Sequence, residues 1–92
     1  MPRKEKVTGV IDGDTFRTNF RIRPERLANV DAPEKKQPYG KKAKKDLQKL
    51  ISGKTVTIKS VARDKWGRTV AYVSVNGRSV NRAMTLKIKK YS

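Results

Sequence analysis

Carboxylates are scarce in this sequence, and they gather. Asp12 and Asp14 flank a glycine in Asp12-Gly13-Asp14-Thr15, Asp31 and Glu34 enclose Ala32-Pro33, and Asp64 opens Asp64-Lys65-Trp66-Gly67-Arg68. These segments hold most of the eight acidic residues of a chain with 24 Lys and Arg. Such a cluster suits a basic protein that must hold a cation or a base against a polyanion. Two carboxylates brought together without a cation repel until one takes a proton, whereas a hard divalent metal such as Ca²⁺ accepts oxygen ligands and removes the repulsion. On this reading Asp14 and Asp31 are metal ligands, and the carbonyl of Ala32 is a third. Glu34, three residues beyond Asp31, is then a base for water attacking a phosphorus centre. Arg26 and Arg68 add two planar forks of donors, suited to a phosphate whose charge grows in the transition state.

The elements that must position these residues follow from periodicity and turn chemistry. Val7, Gly9 and Ile11 alternate with Thr8, Val10 and Asp12 as a strand, and Asp12-Gly13 supplies a hairpin turn into a strand over 15–19. A third strand returns through 21–30 and ends at Ala32-Pro33. If strands one and three flank a shared antiparallel neighbour, they run parallel and deliver Asp14 and Asp31 to one edge. Arg26 precedes Asp31 by five residues, an odd spacing that puts the two on opposite faces of a regular strand, so a twist, bulge or loop geometry is needed near Asn29 or Asp31.

After a loop over 34–40 the period changes. Ala43, Leu47, Leu50 and Ile51 fall on one helical face opposite Lys41, Lys44, Lys45, Gln48 and Lys49, with Gly53 as the C-cap. A strand over 55–62 follows, with a bulge hinted at Val61, then a strand over 68–75 and a tight turn at Asn76-Gly77. Val80, Ala83, Met84 and Ile88 form the apolar side of a short final helix capped by Ser79. Five mostly antiparallel strands, a helix between the third and fourth and a short C-terminal helix make a mainly β α+β fold. The pattern matches the OB-fold Greek-key barrel.

Composition narrows the function classes. The 92 residues suit a single domain over 1–92, and the formal charge of +16 calls for a polyanionic partner, nucleic acid first. No segment has the apolar length of a spanning helix and no basic amphipathic stretch carries a strong aromatic face, so no membrane role is expected. Without Cys or His, disulfides, zinc–thiolate sites and the commonest general base are excluded, and catalysis must run on carboxylates, Arg, Lys or Tyr. No signal-peptide core follows Met1, which suits either an intracellular chain or the mature part of an exported one.

Val10-Ile11-Asp12-Gly13-Asp14-Thr15, the series from Arg26 to Glu34, Tyr39-Gly40, and Asp64 to Arg68 followed by Ala71-Tyr72 closely resemble the staphylococcal nuclease (thermonuclease) family, in order and with compatible gaps, from about Val7 to Met84. The resemblance implies an OB-fold and Ca²⁺-dependent hydrolysis of DNA and RNA phosphodiesters that leaves 3′-phosphate ends; a monomer with single strands preferred is expected beside it. It places Asp14 and Asp31 as metal carboxylates, Ala32 as carbonyl ligand, Glu34 as general base, Arg26 and Arg68 as transition-state arginines, and Asp12 as an outer-sphere neighbour of the metal. Lys65 matches a lysine near the substrate phosphate, and Trp66, at a loop tip, is the better stacking platform among Tyr39, Trp66 and Tyr72.

Two departures stand out. Ala32 replaces a threonine of the prototype, which removes a side-chain hydrogen bond but leaves the carbonyl. Family members continue past the helix near Val80 with a tyrosine that contacts the substrate phosphate and a further helix; Leu86 to Ser92 does not resemble that continuation, and Tyr91 is not assigned that role. The rival to a calcium-dependent nuclease is a non-catalytic OB-fold module that binds single-stranded nucleic acid through its basic surface. A purely structural nucleic-acid binder would explain the charge and leave the carboxylate cluster without a purpose.

Overall fold

The computed structural model describes residues 2–91. Along the chain run β1 (Arg3–Asp12), β2 (Thr15–Thr18), β3 (Glu25–Leu27), α1 (Gly40–Ile51), β4 (Thr55–Arg63), β5 (Thr69–Val75), β6 (Arg78–Ser79) and α2 (Val80–Lys89). Antiparallel neighbours give the order β3-β2-β1-β4-β5-β6, and β3 pairs parallel with β5. That last pairing closes five strands into a barrel of the OB type. The sixth strand is an addition to the five expected: its two residues pair back on Ser74 and Val75 across Asn76-Gly77. Both turn residues have positive φ, 51° and 78°, as a tight two-residue hairpin requires.

Inside the barrel, Val7, Phe16, Leu27, Val56, Ile58 and Val73 meet Leu47 and Ile51 of α1 and Val80 and Met84 of α2, all buried. Helix α1 presents the face expected from its spacing, with Leu50 packed at the edge of the core. It ends at Ser52, and Gly53 follows with φ 71°, a left-handed residue just past a helix end. Ser79 caps α2 by accepting from the Arg82 N–H. The bulge expected at Val61 is present as a register shift between Ser60 and Ala62.

The third strand is the main correction. It was expected over 21–30 and pairs only over Glu25–Leu27. Pro24 has no N–H to extend the ladder, and Asn29 turns the chain at φ 58°. That positive φ supplies the local irregularity that the spacing of Arg26 and Asp31 demanded. The first hairpin turn is also shifted by one residue: Asp12 pairs with Thr15, so Gly13-Asp14 forms the turn.

Two buried polar clusters were not foreseen. Glu5 and Glu25, from β1 and β3, are 2% and 0% exposed. Thr18 Oγ1 donates to Glu5 Oε1 at 2.6 Å, and Arg21 Nε lies 3.1 Å from both Glu5 Oε2 and Glu25 Oε1. The single Nε–H is directed at Glu5, which leaves Glu25 with no hydrogen-bond partner. Burial, then the charge of Glu5, raise the Glu25 carboxyl to about 8, against the opposing charge of Arg21. At the other cluster Tyr91, just beyond α2, donates its hydroxyl to Asp46 Oδ2 of α1 at 2.6 Å and stacks on Tyr39 with ring centroids 5.5 Å apart. Burial, then the Asp46 hydrogen bond and charge, push the Tyr91 phenol well above its ordinary value. No helix among the described residues is long and apolar enough to cross a membrane.

Candidate active site

The turn between β1 and β2 and the chain leaving β3 come together at one end of the barrel. The Leu27 N–H donates to the Asp14 carbonyl at 2.8 Å, and the Ala32 N–H donates to Asp14 Oδ2 at 3.2 Å. Gly13 permits this approach, because a Cβ there would lie 2.5 Å from that of Ala43 and 2.9 Å from that of Ala32. Behind Ala32 pack Ala43 of α1 and Tyr91. The carboxylate-bearing segment is therefore seated on α1. At Gly40, too, a side chain would collide with the Glu34 carbonyl.

A cavity of about 540 Å³ opens at this point, lined by the acids Asp12, Asp14, Asp31 and Glu34 and by the arginines Arg26 and Arg68. Ala32, Pro33, Gln37 and Trp66 complete it. Eight of the residues singled out from the sequence thus meet around one space. Lys65 is not among the lining residues; its ammonium sits 4.6 Å from the centre of the Trp66 ring. Trp66 is 66% exposed. Tyr39 stacks on Tyr91, and the Tyr72 hydroxyl accepts from Asn29 Nδ2 at 2.7 Å, so both have structural contacts.

Hydrogen bonds through Thr15 link Asp14 to Arg68, and an ion pair links Asp14 to Arg26. Thr15 Oγ1 donates to Asp14 Oδ1 at 2.9 Å and accepts from Arg68 Nη1 at 3.5 Å. Arg26 Nη2 lies 3.5 Å from Asp14 Oδ2. Asp64 builds the loop that presents Trp66 and Arg68: its Oδ1 accepts from both their backbone N–H groups, at 3.0 and 2.9 Å, and its Oδ2 accepts from Arg68 Nε at 2.6 Å. Desolvation raises the Asp64 carboxyl, but the Arg68 hydrogen bonds and charge and the Trp66 N–H outweigh it and hold the group below the ordinary value.

Sequence reasoning gave no role to Asp64 or Gln37. Gln37 Oε1 accepts from the Glu34 N–H at 2.7 Å, and the Gln37 N–H donates to the Glu34 carbonyl at 2.9 Å. The signal was present in both cases: a polar residue three or four positions from a candidate, within a Gly- or Pro-marked loop.

Among the described residues no three or more His, Cys, Asp or Glu side chains gather as a metal cage. A cation here would rest on Asp14 and Asp31, the Ala32 carbonyl and water. An all-oxygen set with two carboxylates fits a hard divalent ion bound weakly.

A closed five-stranded barrel with two helices, carrying carboxylates and guanidiniums on one cavity, defines an OB-fold protein with a strongly polar cleft. Residues 25–87 match the model of the family described as staphylococcal nuclease homologue, and the chain belongs to that family. It is 42% identical over 85 residues to an "Uncharacterized endonuclease" of Escherichia coli O157:H7, covering 86% of this chain and 54% of the relative. A second "Uncharacterized endonuclease", of Haemophilus influenzae, is 36% identical over 96 residues, covering 95% of this chain and 53% of the relative. "Staphylococcal-like nuclease CAN1" of Arabidopsis thaliana is 40% identical over 68 residues, 74% of this chain and 20% of its own length. The chain spans about half the length of the bacterial relatives.

Proposed function

We propose that this chain is a calcium-dependent nuclease that hydrolyses phosphodiester bonds of DNA and RNA, acting as a single-domain monomer with single strands preferred. The observation that carries the reading is the convergence of Asp14, Asp31 and Glu34 with Arg26 and Arg68 on one cavity. The endonuclease and nuclease names of its relatives support it, as does a charge of +16.

In this reading Asp14, Asp31 and the Ala32 carbonyl hold Ca²⁺, which supplies polarisation of a phosphate oxygen when bound. Glu34 takes a proton from water as the water oxygen bonds to phosphorus. The bond from phosphorus to the 5′ oxygen breaks, that oxygen takes a proton from solvent, and a 3′-phosphate end remains. Arg26 and Arg68 bind the non-bridging oxygens, where negative charge grows in the transition state. Trp66 offers its exposed face to a base and Lys65 its charge to a neighbouring phosphate.

The test is cleavage of labelled single-stranded DNA and RNA by this chain, in millimolar Ca²⁺ and in chelator, beside Glu34→Gln. Calcium-dependent cleavage lost in the variant is expected. Binding without cleavage by the folded chain would replace this reading with a non-catalytic single-strand-binding module.

A further inference from the structure

The loop joining β2 to β3 carries residues that folding does not require. Ile22 is 94% exposed and Phe20 52%. Single exposed apolar residues are ordinary, but these stand among Arg17, Arg23 and Arg63. Among the described residues none of these three pairs with a carboxylate; the ion pairs there belong to Arg21, Arg26 and Arg68. A further guanidinium, that of Arg3, lies 3.5 Å from the centre of the Phe20 ring.

The loop is preformed. Its base is fastened where the Asn19 N–H donates to the Lys6 carbonyl at 2.9 Å and Asn19 Oδ1 accepts from the Lys6 N–H at 3.0 Å. Arg17 Nη1 donates to the Ile22 carbonyl at 3.2 Å, and the Thr69 N–H to the Pro24 carbonyl at 3.3 Å. The surface therefore needs little ordering to bind a ligand.

It also adjoins the carboxylate site. Trp66 and Arg68 line that site, while Gly67 and Thr69, their neighbours in the chain, line a shallower cavity of about 320 Å³ with Phe20, Ile22, Arg23 and Arg63. The Arg23 guanidinium sits against Gly67 so closely that a side chain there would collide with it. One loop thus separates two charged depressions.

We propose that the Asn19–Pro24 loop is a second subsite for single-stranded nucleic acid, holding nucleotides that flank the phosphate at the carboxylate site. The inference rests on the nucleic-acid reading above and extends it. Arg17, Arg23 and Arg63 meet phosphates, and Ile22 together with the exposed half of Phe20, whose ring already carries the Arg3 guanidinium on one face, meets unstacked bases, a contact every base can make whatever the sequence. A duplex, whose bases are already stacked, has less to gain.

Binding of a labelled dinucleotide and of a DNA strand of about twelve nucleotides, a length within the range one OB-fold occupies, tests this. The measurement is made in chelator so that no strand is cut. The gain in affinity from the short to the long ligand is compared between the natural chain, Phe20→Ala/Ile22→Ser and Arg23→Ser/Arg63→Ser, with circular dichroism and melting confirming the fold. The Phe20/Ile22 variant is expected to shrink that gain by about tenfold, the scale of one base-stacking contact, and the Arg23/Arg63 variant to shrink it several-fold and flatten its salt dependence, as the loss of two phosphate contacts requires. An unchanged gain, or equal weakening of both ligands, overturns the proposal. So does loss of binding to phosphatidylserine vesicles in the Phe20/Ile22 variant with the oligonucleotide gain intact, which would make the loop a membrane contact. Length-dependent binding lost in the variants of a chain that cuts nothing would leave this subsite standing and remove the nuclease reading.

Discussion

Arg26 Nη2 stands 3.5 Å from Asp14 Oδ2, with side-chain exposures of 25% and 11%. The guanidinium proposed to bind phosphate is thus already paired with the carboxylate proposed to hold a cation. The two cations compete for one oxygen, and removing Arg26 leaves Asp14 less well compensated. Arg26→Ala is therefore expected to tighten Ca²⁺ binding a few-fold, since an ion pair with one partner still a quarter exposed is worth about 1 kcal/mol, while turnover falls steeply. Calorimetric titration of Ca²⁺ beside kcat measures both; weaker Ca²⁺ binding in the variant would exclude the competition. Asp14→Asn should remove the binding.

Arg68 is held by Asp64 through a 2.6 Å hydrogen bond to its Nε. Arg68→Ala is expected to lower kcat by about 10² to 10³, the scale of one preorganised transition-state donor. Asp64→Ala should lower kcat less while raising KM, because it loosens the Trp66 and Arg68 backbone and removes no group that meets the phosphate. Separate kcat and KM values distinguish the two; identical profiles would place Asp64 itself in contact with substrate.

Gly13 holds the turn against α1. In Gly13→Ala the new methyl must displace Ala43, which is fixed in a helix, or Ala32, which lies between the site's carboxylates. Overpacking of this kind costs about 1–3 kcal/mol. The melting temperature should fall and cleavage should be lost before the fold is, as thermal melts and assays at one temperature would reveal. Full activity in the variant would mean that the site tolerates a displaced Ala32.

Glu25 supplies a pH dependence. Its carboxyl is raised by burial and by Glu5 from the ordinary 4.5 to about 8. Between those values the native chain keeps a proton that the unfolded chain has released, so raising the pH across this window favours unfolding. The melting temperature should fall from about pH 5 to pH 8, and Glu25→Gln should flatten that slope and melt higher at pH 8. A natural chain with no such slope would show that Glu25 ionises as an ordinary carboxyl.

Tyr91 clasps α2 to α1 through Asp46. Tyr91→Phe keeps the ring stacked on Tyr39 and deprives a buried carboxylate oxygen of its donor, at a cost of about 1–3 kcal/mol. Urea unfolding should register that loss. Stability equal to the natural chain would mean that Asp46 is satisfied by water.

Much of this arrangement could be read before the fold was known. Turn residues, a change of period from two to 3.6 and the order of short strands led to an OB-type barrel, and the scarcity of acids marked the site. The Arg26–Asp31 spacing alone called for an irregular backbone near Asn29 or Asp31, and the structure places it at Asn29. What could not be read depends on distance through space. Glu25, in Arg23-Pro24-Glu25-Arg26, looks like any solvated charge, and only the parallel closure of β3 on β5 shuts it inside with Glu5. The sixth strand needed the end of β5 to be free to pair. Asp46 and Tyr91 lie 45 positions apart, and no local pattern links them.

By itself the sequence determined which chemistry is available: carboxylates and guanidiniums without His or Cys, on segments whose turns expose them, in a chain charged for a polyanion. These are properties of residue types and short spacings, fixed by covalent geometry and local backbone preference. Only the tertiary structure decided that those groups meet across one cavity, that Arg26 already occupies an oxygen of Asp14, and that a buried acid pair lies beneath β3. Such relations arise when barrel closure removes water from side chains far apart in the chain, and pairwise distance and desolvation are written in no single stretch of residues.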